Sequence, residues 1–171
     1  MNTQLVEIYL DAENDIKNNN YVEAFRKYES ILFEEPADAP THNSLGWIYK
    51  TQMDDYVNAE GHYIAAISGN PSYPHSYYNY GILLMDMERF EDLEKLIQKG
   101  MEIDSVDKSW LYHRSGLVAE LKIRFEEAIS FYEKAILFTL SDDKIKNYNE
   151  DITRCTSKLE LSHKYVNWLK Q

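Results

Sequence analysis

The feature that most constrains this chain is a repeat of about 34 to 35 residues that recurs four times. One register holds aromatic residues, and a second, three residues further on, holds mostly alanines. Their members are Tyr21, Tyr56, Phe90, Phe125 and Ala24, Ala59, Leu93, Ala128. Two more registers are Ala12, Gly46, Gly81, Gly116 and Tyr28, Tyr63, Ile97, Tyr132. Self-similarity at this period is typical of stacked helical hairpins, none of which can bury its apolar face alone.

The spacing within each repeat predicts two helices joined by a turn of three or four residues. Small residues in the first helix and alanine in the second let the two backbones approach closely. From Gly46 to Ala59 the gap is one residue longer than in the other repeats. We expect the extra residue in the turn at residues 53–55, where insertions are tolerated. A similar extra residue near 106–108 lengthens the link between the third and fourth hairpins.

The pattern resembles the tetratricopeptide repeat family, and the second repeat carries most of it. The matching residues are Leu45, Gly46, Tyr49, Tyr56, Ala59, Tyr63, Ala66 and Pro71. The third and fourth repeats have Ser105 and Leu140 where the family usually has proline, and the first has Asp11 and Asp15 at apolar positions. The resemblance implies an all-α α-solenoid, a right-handed superhelix of antiparallel hairpins in one domain over 1–171. Its repeats are expected at about 3–37, 38–72, 73–107 and 108–140.

A last helix is predicted over residues 142–169, which contain neither glycine nor proline. Apolar or small residues alternate there at spacings of three and four: Ile145, Tyr148, Ile152, Cys155, Leu159, Ser162, Val166 and Leu169. Such a stripe favours a helix that caps the fourth hairpin, with Ser141 or Asp142 as its N-cap. At about 1.5 Å per residue the helix is longer than one hairpin can cover. Its last turns, with Tyr165, Val166, Trp168 and Leu169, therefore project, fold back or contact another copy.

The charge is −11 and uneven: residues 1–108 carry −12, whereas the remainder carries +1. An acidic surface argues against nucleic acid and anionic membranes, which demand clustered lysine and arginine. It favours a neutral or basic partner, although an acidic surface also serves solubility alone. No apolar run reaches the roughly 20 residues that span a bilayer, and we see no secretion signal. The single cysteine, Cys155, weakly favours a reducing compartment, so the prediction is a cytoplasmic protein.

The resemblance places ligand contacts on the concave face, which the first helices of the hairpins provide. Applied to this sequence, it points to nine residues: Asn43, Trp47, Tyr78, Asn79, Ile82, Trp110, His113, Arg114 and Leu117. Flat rings with Asn and Arg suit a peptide ligand, because rings give contact area at low entropic cost and amides or guanidinium groups pair with peptide groups. The alternative for Trp47 and Trp110 is that they only pack against neighbouring helices.

Two sharper functions find little support in the residues. The clamp by which some family members hold acidic chaperone tails needs two lysines, and of its positions only Asn79 and Arg114 fit. The five histidines show no metal-ligand spacing and the lone cysteine lacks a partner, so we predict no metal and no cofactor. An enzyme would need an unrecognised site around His75, His113 and Glu120.

The sequence therefore predicts a non-catalytic adaptor or chaperone-like scaffold that binds a protein or peptide segment in its groove. The alternative is a structural self-assembly unit, a weak homodimer joined by the C-terminal helix and an end hairpin.

Overall fold

The computed structural model describes residues 3–169, with side chains as far as residue 164, and all of its regular elements are helices. The nine helices are α1 (Thr3–Lys17), α2 (Tyr21–Glu34), α3 (Ala39–Gln52), α4 (Tyr56–Gly69), α5 (Pro74–Asp86), α6 (Phe90–Met101), α7 (Lys108–Leu121), α8 (Phe125–Leu137) and α9 (Asp142–Leu169). They form two compact units. The first unit holds α1–α5 with residues 103–106, and the second holds α6–α9.

Every first helix is joined to the helix after it by a linker of three residues. In each linker the middle residue has a positive φ: Asn19, Asp54, Glu88 and Ile123. Asn and Asp tolerate this left-handed conformation, whereas a β-branched residue such as Ile123 is strained in it. The repeat therefore imposes the same backbone turn four times, even on a residue that opposes it.

The extra residue of the second repeat leaves the linker length unchanged and instead lengthens the end of α3. The Asp55 N–H donates to the Tyr49 carbonyl, six residues back, whereas the bond from Arg124 to Ala119 spans five residues. The expectation of a longer turn at 53–55 was therefore wrong in detail. One extra residue can therefore be added at the end of a first helix while the linker to the second helix keeps its three residues.

Several helix starts are capped by aspartate, as their sequences favour. Asp38 accepts from the Thr41 N–H at 3.0 Å, and Asp107 accepts from the Ser109 N–H at 2.8 Å. The link between α6 and α7, residues 102–107, is longer than the four-residue links at 35–38 and 70–73. Lys108 satisfies the exposed carbonyl end of α6 by donating to the carbonyls of Gly100 and Met101.

In the second and fourth hairpins, a tyrosine of the second helix fills the space that glycine leaves in the first helix. A Cβ added to Gly46 would lie 2.7 Å from the Tyr63 ring, and one added to Gly116 would lie 2.5 Å from the Tyr132 ring. Both tyrosines are fully buried. The glycines thus admit the rings of their own hairpins, which explains why small and aromatic registers recur together.

The C-terminal helix α9 packs on α7 and α8 within the second unit. Ser141 caps it, because its hydroxyl accepts from the Lys144 N–H at 3.4 Å. Tyr148 and Cys155 on its inner stripe are buried, and Cys155 packs with Tyr132. The side chains of the last turns, Tyr165, Val166, Trp168 and Leu169, lie outside the described residues. In the part of the chain that is described, no helix is both long enough and apolar enough to cross a membrane.

Candidate functional site

On the first unit, an amide pair joins the faces of two successive first helices. The Asn79 side-chain amide of α5 donates to the Asn43 carbonyl oxygen of α3 at 3.0 Å. Asn43 is buried and Asn79 is half-buried. A primary amide has two N–H donors and one carbonyl acceptor, so a single bond leaves Asn79 with capacity for a peptide group.

Further polar pairs line the same face, and sequence reasoning did not find them. Lys50 of α3 forms an ion pair with Asp86 of α5 at 2.6 Å. Nearer the N-terminus, the Ser44 hydroxyl donates to Glu13 at 3.0 Å and lies 3.2 Å from the Tyr9 hydroxyl. The pairs Tyr9 with Ser44, Asn43 with Asn79 and Lys50 with Asp86 recur 35 or 36 residues apart. Only comparison of repeats could have suggested them, since each pair differs in chemistry.

Trp47 forms one wall of this face. Its ring packs on Tyr21 of the preceding hairpin, with ring centroids 6.1 Å apart, and against the core around Ile48. The side chain is half-buried. The packing alternative therefore describes one side of Trp47, while its remaining surface is open to solvent.

Aromatic side chains continue the face along α5. Tyr78 is half-buried, and its ring lies edge-to-face with that of His75, with ring centroids 6.0 Å apart. The ring centroids of His75 and Tyr73 are 5.3 Å apart. Ile82, one helical turn beyond Tyr78, is 37% exposed. Asn43, Trp47, Tyr78, Asn79 and Ile82 are thus carried by two adjacent helices of the first unit.

On the second unit, Trp110 and Arg114 form a pair on α7. The Arg114 guanidinium lies 5.3 Å from the centre of the Trp110 ring, a cation–π geometry one helical turn apart. Leu117, another turn along, is half-buried against the cluster of Ala119 and Tyr132. These three residues share one face of α7.

His113 is half-buried and contacts α9. Its Nε2 is 3.0 Å from an Asp151 carboxylate oxygen, and its ring stacks on Tyr148 at 4.7 Å. Burial lowers the pKa of His113, with the Arg114 charge acting in the same direction, although Asp151 opposes the shift. His113 thus joins α7 to α9 as Asn43 joins α3 to α5, and its role as a groove residue stays a prediction.

Glu120, the third residue of the enzyme hypothesis, is also taken up by α9. Its buried carboxylate accepts from Arg154 at 2.6 and 2.8 Å, from Lys158 at 2.8 Å and from Tyr132 at 2.8 Å. The Arg154 guanidinium is the main cause that holds the pKa of Glu120 far below its usual range. A carboxylate held ionised by two cations cannot serve as a proton donor near neutral pH.

These contacts place α9 on α7 as α5 is placed on α3. Asn43 and Lys50 of α3 pair with residues 36 positions later, and His113 and Glu120 of α7 pair with residues 38 positions later. The two pairing residues are seven positions apart in both α3 and α7. The N-terminal half of α9 therefore stacks as the first helix of a further repeat.

Sequence reasoning also missed a histidine pair inside the second hairpin. His42 Nδ1 and His62 Nδ1 lie 2.9 Å apart, and the Tyr49 ring stacks on His62. Only the fold brings them together, since they are 20 residues apart. Among the described residues, no group of three or more His, Cys, Asp or Glu side chains could hold a metal ion.

The chain matches no protein-family model, and no curated protein sequence matches it. Solved structures do resemble it. They include a MamA protein, at TM-score 0.74 and 18% identity over 98% of this chain and 89% of that one. PilF of Pseudomonas aeruginosa has TM-score 0.74 and 18% identity over 95% of this chain and 70% of that one.

A third structure, TTC0263, is a thermophilic TPR protein of Thermus thermophilus. It matches at TM-score 0.67 and 15% identity over 85% of this chain and 80% of that one. At these identities the likeness establishes the fold alone. The chain has the all-α solenoid fold of tetratricopeptide repeat proteins, as its residue pattern predicted.

Proposed function

We propose that this chain, with its tetratricopeptide repeat fold, is a non-catalytic module that binds a protein or peptide segment on the faces of its first helices. The observation that carries the proposal is the amide pair of Asn43 and Asn79 on the first unit, flanked by Trp47, Tyr78 and Ile82. An amide with unused donor and acceptor groups beside flat rings suits an extended peptide backbone and its apolar side chains.

The second unit offers a smaller face of the same kind. Trp110, Arg114 and Leu117 present a ring, a cation and an aliphatic side chain along one side of α7. Arg114 can pair with a carbonyl or a carboxylate of the same ligand class. His113 and Glu120 pair with side chains of α9, so we assign neither of them a catalytic role.

A neutral or basic segment suits the first unit best. This unit carries fifteen acidic and five basic residues, a net charge of −10, whereas the second unit carries −1. A field of this sign attracts cationic partners and repels anionic ones. The charge thus supports a neutral or basic partner, and the amide pair supports binding on α3 and α5.

The test is a peptide selection on the folded protein followed by titration calorimetry of the selected peptides. We expect Kd values on the order of micromolar. Asn79→Ala and Ile82→Asp, on the proposed face, should each weaken binding at least about tenfold. Val57→Asp, at an 80% exposed position on α4, is the matched control and should bind as wild type does. Equal binding by all variants would move the site away from α3 and α5.

Self-assembly remains a second candidate, because α9 continues for about three turns beyond Lys158, which pairs with Glu120 of α7. Leu161 lies in this extension and is 58% exposed. A dimer through α9 predicts a mass that doubles with concentration in light scattering, and Leu161→Asp should abolish the doubling. A constant monomer mass across concentrations would remove this candidate.

A further inference from the structure

A cavity of about 300 Å³ lies within the second unit, between α6, α7 and α8. From α7 it is lined by Tyr112 and Ser115. At 100° per residue these two positions lie on the side of α7 opposite to Trp110 and Arg114. The cavity is therefore separate from the face proposed for peptide binding.

The floor of the cavity is apolar and rich in polarizable groups. Ile97 and Met101 of α6 line it together with Tyr112 and Phe131. Ile97 is buried, while the other three are half-buried and keep surface in the cavity. Rings and a thioether at a wall favour contact with another aromatic ring.

Charges at the mouth are arranged as pairs. Arg124 bonds to Glu127 at 2.8 Å and to Glu94 at 3.3 Å, which joins α6 and α8 across the opening. Lys134 does not line the cavity, but its Nζ lies 5.4 Å from the centre of the Phe131 ring and 5.9 Å from that of Tyr112. Carboxylates beside these cations disfavour an anionic ligand, and the cations disfavour a cationic one.

An uncharged aromatic ring suits the rings, the thioether and the paired charges that line this cavity. Its negative face can meet Arg124, and its edge can meet the rings of Tyr112 and Phe131. The volume is at the lower end for ligand pockets, which suits one large side chain. Outside the mouth, Phe138 is 55% exposed and stacks on Tyr112 at 5.3 Å. This apolar extension provides area for the chain on either side of an inserted ring.

We propose that this cavity is a second binding site, which takes an aromatic side chain, Trp or Phe, presented by a partner polypeptide. The site lies between α6, α7 and α8, on the side of α7 away from Trp110 and Arg114, and works independently of the first-helix faces. The site recognises its ligand through the quadrupole of the ligand's aromatic ring and through apolar contacts around Phe138.

The experiment uses acetylated pentapeptides Gly-Gly-X-Gly-Gly with X as Trp, Phe, Leu or Lys, titrated into the full chain and followed by NMR amide shifts. We expect saturable binding of the Trp and Phe peptides with Kd of about 1 mM, as a single anchor allows. The Leu and Lys peptides should bind at least fivefold more weakly. Shifts should centre on the cavity residues.

Two variants locate the site. Ser115→Leu fills the cavity and should abolish binding of the Trp peptide, whereas Ser130→Leu, at an exposed position on α8, should leave it unchanged. Phe131→Leu keeps the cavity wall apolar but removes an aromatic ring. It should weaken binding of the Trp peptide more than binding of the Leu peptide.

Three results would overturn the proposal: equal affinity for the Trp and Leu peptides, no saturation with any peptide, or binding of free N-acetyltryptophanamide but not of the Trp peptide. Asn79→Ala, on the first unit, should not change these titrations. Failure here therefore leaves the first-helix proposal standing, and the reverse also holds.

Discussion

At the scale of single residues, three buried tyrosines of the same register differ in one hydrogen bond. The Tyr28 hydroxyl donates to Glu13 and the Tyr132 hydroxyl to Glu120, whereas the Tyr63 hydroxyl has no acceptor among the described residues. A buried hydroxyl without a partner costs free energy that a phenyl ring does not.

The first prediction follows from this difference. Tyr63→Phe should leave the free energy of unfolding unchanged or raise it, while Tyr28→Phe and Tyr132→Phe should each lower it by about 1 to 2 kcal/mol. Urea unfolding of the three variants measures this directly. A loss for Tyr63→Phe equal to that of the other two would show that its hydroxyl is satisfied.

The glycines give a second residue-scale prediction. Gly46→Ala and Gly116→Ala drive a Cβ into a buried tyrosine ring, so each should destabilise the protein by about 1 to 3 kcal/mol. Gly61 is the matched control, because a Cβ there meets nothing within 4 Å. Gly61→Ala should stabilise by about 1 kcal/mol through helix propensity, measured as an increase in Tm. Stabilisation by all three substitutions would contradict the close packing.

The histidine pair predicts a loss of stability in mild acid. His42 Nε2 donates to the Pro36 carbonyl at 3.0 Å, so its Nδ1 accepts from the His62 Nδ1–H. Burial, with the neighbouring His42 as a second cause, lowers the pKa of His62 to about 4. The unfolded chain binds this proton at about pH 6.5, so stability should fall as pH drops from 6.5 towards 4.

Urea unfolding at pH 7 and pH 5 tests this dependence. His62→Gln keeps a donor for His42 but cannot titrate, and it should flatten the change between the two pH values. His163→Gln, at an exposed position on α9, should behave as wild type does. An unchanged slope for His62→Gln would exclude His62 as its source.

At the scale of elements, one buried carboxylate ties α9 to α7, in addition to the buried Tyr148 and Cys155 of its apolar stripe. Ile145, Ile152 and Leu159 on the stripe remain half-buried, whereas Glu120 binds both Arg154 and Lys158. The ion pairs are partly exposed on the cationic side, so screening reduces their strength.

Glu120→Ala should therefore destabilise the second unit by about 2 kcal/mol, because two cations and the Tyr132 hydroxyl lose their acceptor. The clearest signal is faster amide hydrogen exchange over residues 142–158. Glu160→Ala, at an exposed position on the same helix, is the control. Unchanged exchange in Glu120→Ala would assign the docking of α9 to Tyr148 and Cys155 instead.

At the scale of the whole molecule, charge is divided unequally between the two units. The first unit carries −10 and the second −1. Long-range attraction between this field and a basic ligand is screened over roughly 8 Å at physiological ionic strength.

A basic peptide selected on the first unit should therefore bind at least several-fold more tightly at 20 mM than at 300 mM salt, mainly through its association rate. Stopped-flow fluorescence of a labelled peptide separates the association and dissociation rates. The Trp pentapeptide of the second-unit cavity is neutral and serves as the comparison, since its affinity should not depend on salt. Equal salt dependence for both would show that the charge of the first unit plays no part in recognition.

The sequence by itself determined the periodic features of this protein. The aromatic, alanine and glycine registers predicted the hairpins. The stripe from Ile145 to Leu159 predicted a further helix. Such features are local or periodic. Each copy of the repeat places the same residue types at the same positions, so four copies together make the pattern recognisable.

Only the tertiary structure decided which polar groups meet. His113 and Glu120 satisfy the positional rule for groove residues, but only the structure pairs them with Asp151 and Arg154 of α9. The pair of His42 and His62 and the cavity under Arg124 likewise join residues from different helices. Hydrogen bonds and ion pairs depend on distances of a few ångström between side chains far apart in sequence, and no periodicity of one helix encodes its neighbour's side chains.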